Sequence, residues 1–434
     1  MPAARRTPPG RKIDSTNNIP RILDTTVPPG SLRGALTPPC SKSYAQRALA
    51  AALLAEGCSE LHGIDFCDDT LSALRCIETL GARVVRSGSA LRIEGGLRPR
   101  GGRLFTGESG LATRLFTPIA SLWHEPVRIE GEGTLLARPM GALLEPLRTL
   151  GVAVRDRGGR LPLEVCGPMR GGAVTVDGSL SSQFVTGLLL ALPLAAGETT
   201  VRVTDPVSTP YIDMTLDTAA RFGVEICRNG YEEFFVEGMQ RYAPATMEIE
   251  GDWSAAAMLL VAGATAGEVC VRNIRTLSKQ ADTAVIRALE RAGAGLVCEA
   301  GSVTAARRPL RAFEFDATHC PDLFPALAAL AAAADGTSLL RGVRRLRHKE
   351  SDRAEAIRSE YGRLGIEVVI DDDTMAVRGG AVRGGRVSAH GDHRIAMSLA
   401  VAALRAGGEV VIEGAECVSK SYPSFFEDLQ RLRV

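Results

Sequence analysis

Apolar and polar positions along this chain fall into a pattern that recurs at an almost constant interval. A glycine closing an amphipathic stretch stands at Gly81 (TLGARV), Gly151 (TLGVAV), Gly223 (RFGVEI), Gly293 (RAGAGL) and Gly365 (RLGIEV), at separations of 70, 72, 70 and 72 residues. About 40 residues before each glycine, a polar cluster opens an apolar helical run. These clusters are Ser41-Lys-Ser, Gly107-Glu-Ser-Gly, Ser181-Ser-Gln, Gly251-Asp-Trp-Ser and Pro321-Asp, and a sixth, Gly391-Asp-His-Arg, runs to the C-terminus without its closing glycine.

Each of these helical runs reads as followed by Gly and then a short alternating strand, as in EGCSELHGI, AGETTVRVT, AGEVCVRNI, DGTSLLRGV and GGEVVIEGA. A second, amphipathic helix then leads to the repeated glycine, where a left-handed helix end costs least. The pattern predicts six copies of one unit: helix, strand, helix and more strand. Because a single core stops growing near 250–300 residues, six α/β units pack most economically as two lobes of three, with a boundary near residue 250. Residues 20–36 read as a strand pair around Pro28-Pro29-Gly30, and residues 1–20, rich in Pro, Arg, Ser and Asn, read as a disordered tail.

Composition narrows the function. The 51 basic and 50 acidic side chains nearly cancel, so there is no global field of the kind a nucleic-acid or membrane-surface binder uses, and an anion site has to be local. The ten cysteines are scattered singly, without a CxxC pair or a neighbouring His cluster. That fits neither a zinc site nor a secreted disulfide framework, and the expectation is a cytoplasmic protein with no metal. No apolar run reaches the length of a bilayer span.

Local charge gives the first chemical clue. Helix N-termini carry a partial positive charge and favour anions, yet several repeat starts carry cations: Lys42 and Arg47 in CSKSYAQR, Arg114 in GESGLATR, Arg394 in GDHRIAM. A cation there opposes the dipole by up to ~1 kcal/mol, a cost that a multiply charged anion reverses. The stretch GVRRLRHKESDR (342–353) stacks Arg344, Arg345, Arg347, Lys349 and Arg353 against Glu350 and Asp352. On a helix, Arg345, Lys349 and Arg353 would share one face and repel. The stretch is either a solvated face or an anion pocket, and the two interspersed carboxylates favour the pocket. Ser181, Ser182 and Gln183 read equally as a helix cap or as donors to a phosphate or diol. Asp322 after Pro321 reads, taken alone, as an ordinary first-turn acid. His393 reads as a structural donor on the last repeat's helix rather than a base.

From about residue 20 to the end, separated motifs resemble the enolpyruvyl transferase family. The family's PGSKSxSxR looks like PCSKSYAQR (39–47) and its GNAGTxxR like GESGLATR (107–114); its RP is Arg138-Pro139 and its GSxSSQ is GSLSSQ (178–183). SxPYxDxT appears as STPYIDMT (208–215), PD as Pro321-Asp322, KExDR as KESDR (349–353), DHRxAM as DHRIAM (392–397), and KxxPxF as KSYPSF (420–425). The resemblance implies an α/β fold, an inside-out barrel of two lobes, each of three βαβαββ-type units. Residues 21–38 would join 252–434 in the lobe carrying Asp322, Lys349, Glu350, Arg394 and Lys420. Residues 39–251 would form the lobe carrying Lys42, Arg138, Ser181 and Gln183.

The SSQ and SxPY motifs point to the branch acting on shikimate-3-phosphate. The resemblance then implies that Ser43, Arg47, Ser181, Ser182, Gln183, Ser208, Tyr211, Asp322 and Lys349 hold shikimate-3-phosphate. It implies that Lys42, Gly110, Arg138, Gln183, Arg353, Arg394 and Lys420 surround phosphoenolpyruvate, with no cofactor, in a monomer. Asp322 would take the proton of the acceptor's 5-hydroxyl, and a protonated Glu350, aided by Lys349 or Lys42, would protonate C3. Such a Glu350 needs a raised pKa.

Four positions depart from the family pattern. Cys40 stands for Gly, where its side chain could crowd the turn; Glu108 stands for Asn and would repel an anionic donor unless it pairs with a cation such as Arg138 or points away; Leu111 stands for Thr; and Arg345 stands for Asn. A UDP-sugar enolpyruvyl transferase is the nearest rival. That branch carries a Cys before its RP dipeptide, and here Ala137 precedes Arg138 with no Cys near. A silent anion-binding homologue would be expected to lose Asp322 or Glu350, and no GxxxxGK[ST] loop supports a kinase.

Overall fold

The computed structural model describes residues 24–99 and 101–434; the expected tail, 1–20, lies outside them. Six helices open at the polar clusters: Lys42–Leu54, Gly110–Ala120, Gln183–Ala191, Trp253–Ala266, Phe324–Ala332 and His393–Ala403. Their sequences are apolar on almost every face, so they can only be stable inside. All residues of Trp253–Ala266 and His393–Ala403 are buried, as are those of Gly110–Ala120. Side-chain caps start several of them. Ser41 accepts from the Tyr44 N–H, Ser109 from Ala112, Asp252 from Ser254 and Ala255, and Asp392 from Arg394.

The amphipathic second helices end as the spacing predicts. Gly81, Gly151, Gly223, Gly293 and Gly365 all have φ between 79° and 120°, the region a side chain avoids. Each full unit places two parallel strands beside an antiparallel hairpin. In the second unit, for example, Arg103–Phe105 runs parallel to Val127–Glu130, which pairs with Leu163–Cys166, which pairs in turn with Ala153–Arg155. Among the described residues, five four-stranded sheets have this order and a sixth has three strands. The outcome is the βαβαββ unit, with helices inside and sheets outside.

The strands near the N-terminus differ from expectation. Thr25–Val27 and Leu32–Leu36 do not pair with each other. The first joins Val410–Glu413 in the last unit, and the second runs parallel to Gly267–Arg272 in the fourth. The fourth unit therefore borrows its leading strand from residues 32–36, and the first borrows Thr246–Glu248, which runs parallel to Gly57–His62. Strand pairing is satisfied by register and burial, not by nearness in sequence. The chain passes between the two sets of sheets at residues 37–41 and again at 249–252. These passages are tied together by Ser41 N–H to the Glu250 carbonyl and Asp252 N–H to the Pro39 carbonyl, both 2.8 Å.

Buried apolar side chains form two clusters, one within residues 40–249 and the other made of Val27, Leu32 and residues 253–432. Among the described residues, no helix is long and apolar enough to cross a membrane.

Candidate active site

Between the two cores lies a cleft lined by residues from both sides. Residues at or just before the starts of the buried helices line it from both sides: Lys42, Ser43, Gly110 and Gln183 from one, Asp322 and Arg394 from the other. Seven cations (Lys42, Arg47, Arg114, Arg138, Arg345, Lys349 and Arg394) face only three carboxylates, Asp69, Asp322 and Glu350. Together with the helix ends, this excess makes the cleft a receptor for anions.

Among the described residues, two cations on one side of the cleft, Arg47 and Arg114, make no ion pair with a carboxylate. Arg47, buried, donates to Thr215 Oγ1 (2.9 Å), Thr186 Oγ1 (3.3 Å) and the carbonyls of Ser43 (2.8 Å) and Tyr211 (3.1 Å). Burial pushes its pKa down to about 10. Arg114 donates to the carbonyls of Gly110 and Pro139 and to Gln183 Oε1 (3.0 Å), and burial beside Arg138 brings it to about 9. The close approach of its helix to Gln183–Ala191 depends on Gly187, where a Cβ would lie 2.1 Å from the Arg114 carbonyl oxygen. Ser182 makes no capping bond and Ser181 Oγ accepts from the Gln183 N–H, so Ser181 alone acts as a cap. Ser208 sits at φ 53°, a strained conformation for serine, where its helix opens beside the cleft.

The other side is a carboxylate–cation network. Asp322 is not merely a first-turn acid: it accepts from Arg353 (2.9 Å), Arg394 (3.3 Å) and Lys349 (3.4 Å). Burial alone would raise its pKa, but Arg394, Lys349 and Arg353 hold it well below the usual carboxylate range. Lys349 is brought down to about 8, by burial first and against the pull of Asp322. Glu350 bonds Arg353 at 2.6 Å and Arg138 at 3.3 Å, the latter across the cleft. Burial works to raise its pKa, and Arg138, Arg353 and Lys420 outweigh it and hold Glu350 well below the usual carboxylate range. A proton on Glu350 therefore does not pre-exist. On the far wall Asp69 binds Lys42 at 2.9 Å and, against the opposing effect of burial, keeps the lysine charged.

All but two of the expected site residues line this cleft. Arg353 is fully buried behind it, clamped by Asp322, Glu350 and Asp392, and Lys420 faces a neighbouring cleft, 3.3 Å from Glu108. The basic stretch is not one helical face. Val343–His348 is a 3₁₀ turn, the helix begins only at Arg353, and Arg344 pairs with exposed Asp372, so the run is divided between solvent and pocket. Glu108 is neutralised by Lys420 rather than Arg138, and Arg345 reaches the Thr318 carbonyl (2.6 Å) and, across the cleft, that of Leu180 (3.5 Å). Cys40 is accommodated, its thiol accepting from the Asp65 N–H. Leu111 contributes an apolar patch to the lining. Among the described residues neither ring nitrogen of His393 has a hydrogen-bond partner, Asp392 lying 3.9 Å from Nδ1, and burial followed by Lys42 and Arg394 pushes its pKa well down.

Sequence reasoning gave no role to Asp69, Asp392 or Arg114. Asp392 stands inside one of the family motifs and Arg114 among the cations at repeat starts, but nothing in the Asp68-Asp69 pair signals that one of them meets Lys42.

The family model for EPSP synthase (3-phosphoshikimate 1-carboxyvinyltransferase) matches residues 27–429. A 3-phosphoshikimate 1-carboxyvinyltransferase of Thermococcus kodakarensis is 42% identical over 93% of this chain and 98% of its own length. One from Aeropyrum pernix is 39% identical over 94% and 95%. Among solved structures, an EPSP synthase from Acinetobacter baumannii superposes with a TM-score of 0.81 at 27% identity, covering 94% of this chain and 98% of that one. The enolpyruvyl transferase NikO from Streptomyces tendae, at 21% identity, covers 94% of this chain and 96% of its own with a TM-score of 0.76, and shares the fold.

Proposed function

We propose how the cleft works from one premise: this chain belongs to the EPSP synthase family, and it transfers the enolpyruvyl group of phosphoenolpyruvate to shikimate-3-phosphate, releasing phosphate, in the shikimate pathway to aromatic amino acids. The acceptor sits against Ser43, Arg47, Ser181, Ser182, Gln183, Ser208, Tyr211 and Lys349, where Arg47 has no carboxylate to compete with a phosphate. The donor lies among Lys42, Gly110, Arg138, Gln183 and Arg394, with Lys420 turning in from its edge and Arg353 acting from behind through Asp322 and Glu350.

Asp322, ionised, takes the 5-hydroxyl proton as that oxygen attacks C2 of phosphoenolpyruvate. C3 gains a proton to give a tetrahedral adduct. Loss of phosphate, which carries off the proton taken by Asp322, with return of a C3 proton to Glu350, leaves the enol ether. Glu350 supplies the C3 proton, and the donor itself makes this feasible. Once the donor's anionic groups engage Arg138 and Lys420, two of the cations that hold the Glu350 proton off are compensated, and burial carries its pKa back up. Lys349, poised at about 8, and Lys42 stabilise the charge that develops. The observation that carries this reading is Asp322 and Glu350 sharing the Arg353 guanidinium on the floor of a cation-rich cleft.

We also propose that 21–38 with 252–434 and 39–251 act as lobes that close over the substrates, and that the protein works as a cytoplasmic monomer. Mixing the protein with both substrates and following phosphate release tests the activity, with UDP-N-acetylglucosamine as the contrasting acceptor. Turnover by Asp322→Ala or Glu350→Gln at the wild-type rate would remove their assignments.

A further inference from the structure

We infer that Glu108 is a built-in competitor for the donor anion at Lys420, setting the affinity for phosphoenolpyruvate. The inference rests on the functional reading above and adds to it a residue outside the proposed binding set. Glu108 Oε2 lies 3.3 Å from Lys420 Nζ, although the two residues come from segments that build different hydrophobic clusters. The neighbouring Ser419 hydroxyl bonds Asp68 at 2.6 Å, so the end of the 3₁₀ turn Ala415–Lys420 is held to the opposite wall at two adjacent points.

The carboxylate also has a seat shaped for it. Its Oε1 accepts from the Thr134 N–H at 3.2 Å, and it fills the space beside Gly133, where a Cβ would stand 1.2 Å from that oxygen. Gly133 opens the short turn Gly133–Ala137 that leads directly into Arg138. Glu108 therefore draws Lys420 toward the neighbouring cleft while anchoring the turn that presents Arg138 to the main one. The two clefts meet at Asp69, which lines both.

Lys420 is buried, whereas the Glu108 side chain is 37% exposed. A pair open to water on one side is weak, so a donor with a phosphate and a carboxylate can take the lysine from it. The exchange costs the donor affinity, because part of its attraction to Lys420 replaces an attraction already satisfied. It also removes Lys420 from the cations restraining Glu350 only when the donor has arrived.

Glu108→Gln keeps an acceptor for Thr134 and removes the charge. The expected result is a KM for phosphoenolpyruvate lowered about threefold to tenfold, with smaller changes in kcat and in KM for the acceptor. Inorganic phosphate, measured by calorimetry on the same protein without substrates, should bind more tightly by a similar factor. An unchanged or raised KM together with unchanged or weaker phosphate binding would overturn the inference. Absence of turnover by the wild-type protein would refute the functional reading instead, and the phosphate titration would still decide the role of Glu108.

Discussion

Two fully buried arginines offer a direct test of the electrostatic argument. Arg47 is held by hydroxyls and carbonyls alone, and Arg353 by Asp322, Glu350 and Asp392. A guanidinium pushed from 12.5 to about 10 carries ~3 kcal/mol of unrelieved desolvation. Replacing Arg47 by Met removes that cost together with four hydrogen bonds, each worth about 1 kcal/mol net. The two nearly cancel, so Arg47→Met should leave the empty protein within about 1 kcal/mol of wild type. Arg353→Met removes a cation shared by three carboxylates, leaves Asp392 without its arginine, and should cost ~3–5 kcal/mol. Urea unfolding of the ligand-free proteins reads the difference. Function should order them differently: Arg47→Met should weaken shikimate-3-phosphate binding by a hundredfold or more, on the order of the 2–5 kcal/mol of a buried charge contact. Equal stability losses, or a larger loss for Arg47→Met, would refute the view that Arg47 is a cation waiting for an anion.

Lys349 should give kcat/KM an alkaline limb, activity falling as pH rises through about 8 where its charge is lost; Lys349→Arg should flatten that limb whatever it does to the plateau. Asp282, a buried acid beside Asp322, has its pKa raised from 3.8 to about 7, by burial and then by Asp322. Its contribution to stability is therefore intact below about 4 and lost as pH rises through 7, so Asp282→Asn should exceed wild type at pH 8 by roughly 2–4 kcal/mol, converging as pH falls; thermal unfolding across pH checks this. Gly187→Ala should cost ~1–3 kcal/mol by forcing its helix off the Arg114 carbonyl, and should slow phosphate release at least tenfold by moving Gln183 and Arg114 together.

The glycine period was enough to reveal the six units because a left-handed helix end admits few residues, and all five repeated glycines occupy one. Pairing partners for the borrowed strands were not legible. Leu32–Leu36 and Thr246–Glu248 look like any short strand, and only the assembled sheets show which edge each completes. Among the site residues, motif identity carried Lys42, Arg138, Gln183, Asp322 and Arg394 into one cleft. It could not supply the protonation state of Glu350, which depends on cations from three separate segments, nor the turn of Lys420 toward Glu108. The even spacing of Arg345, Lys349 and Arg353 misled because the backbone changes from a 3₁₀ turn to an α-helix between them.

The paired passages at 37–41 and 249–252 bear on how the chain is made. Everything from residue 40 to 249 starts and finishes at one doorway, so it can complete its own interior while the ribosome is still translating the C-terminal half. Thr25–Val27 and Leu32–Leu36, though synthesised earlier, have to wait for Val410–Glu413 and Gly267–Arg272 before they find their places. These two early strands are thus enclosed only after segments made much later, and loss of Val410–Glu413 would unseat Thr25–Val27 as well.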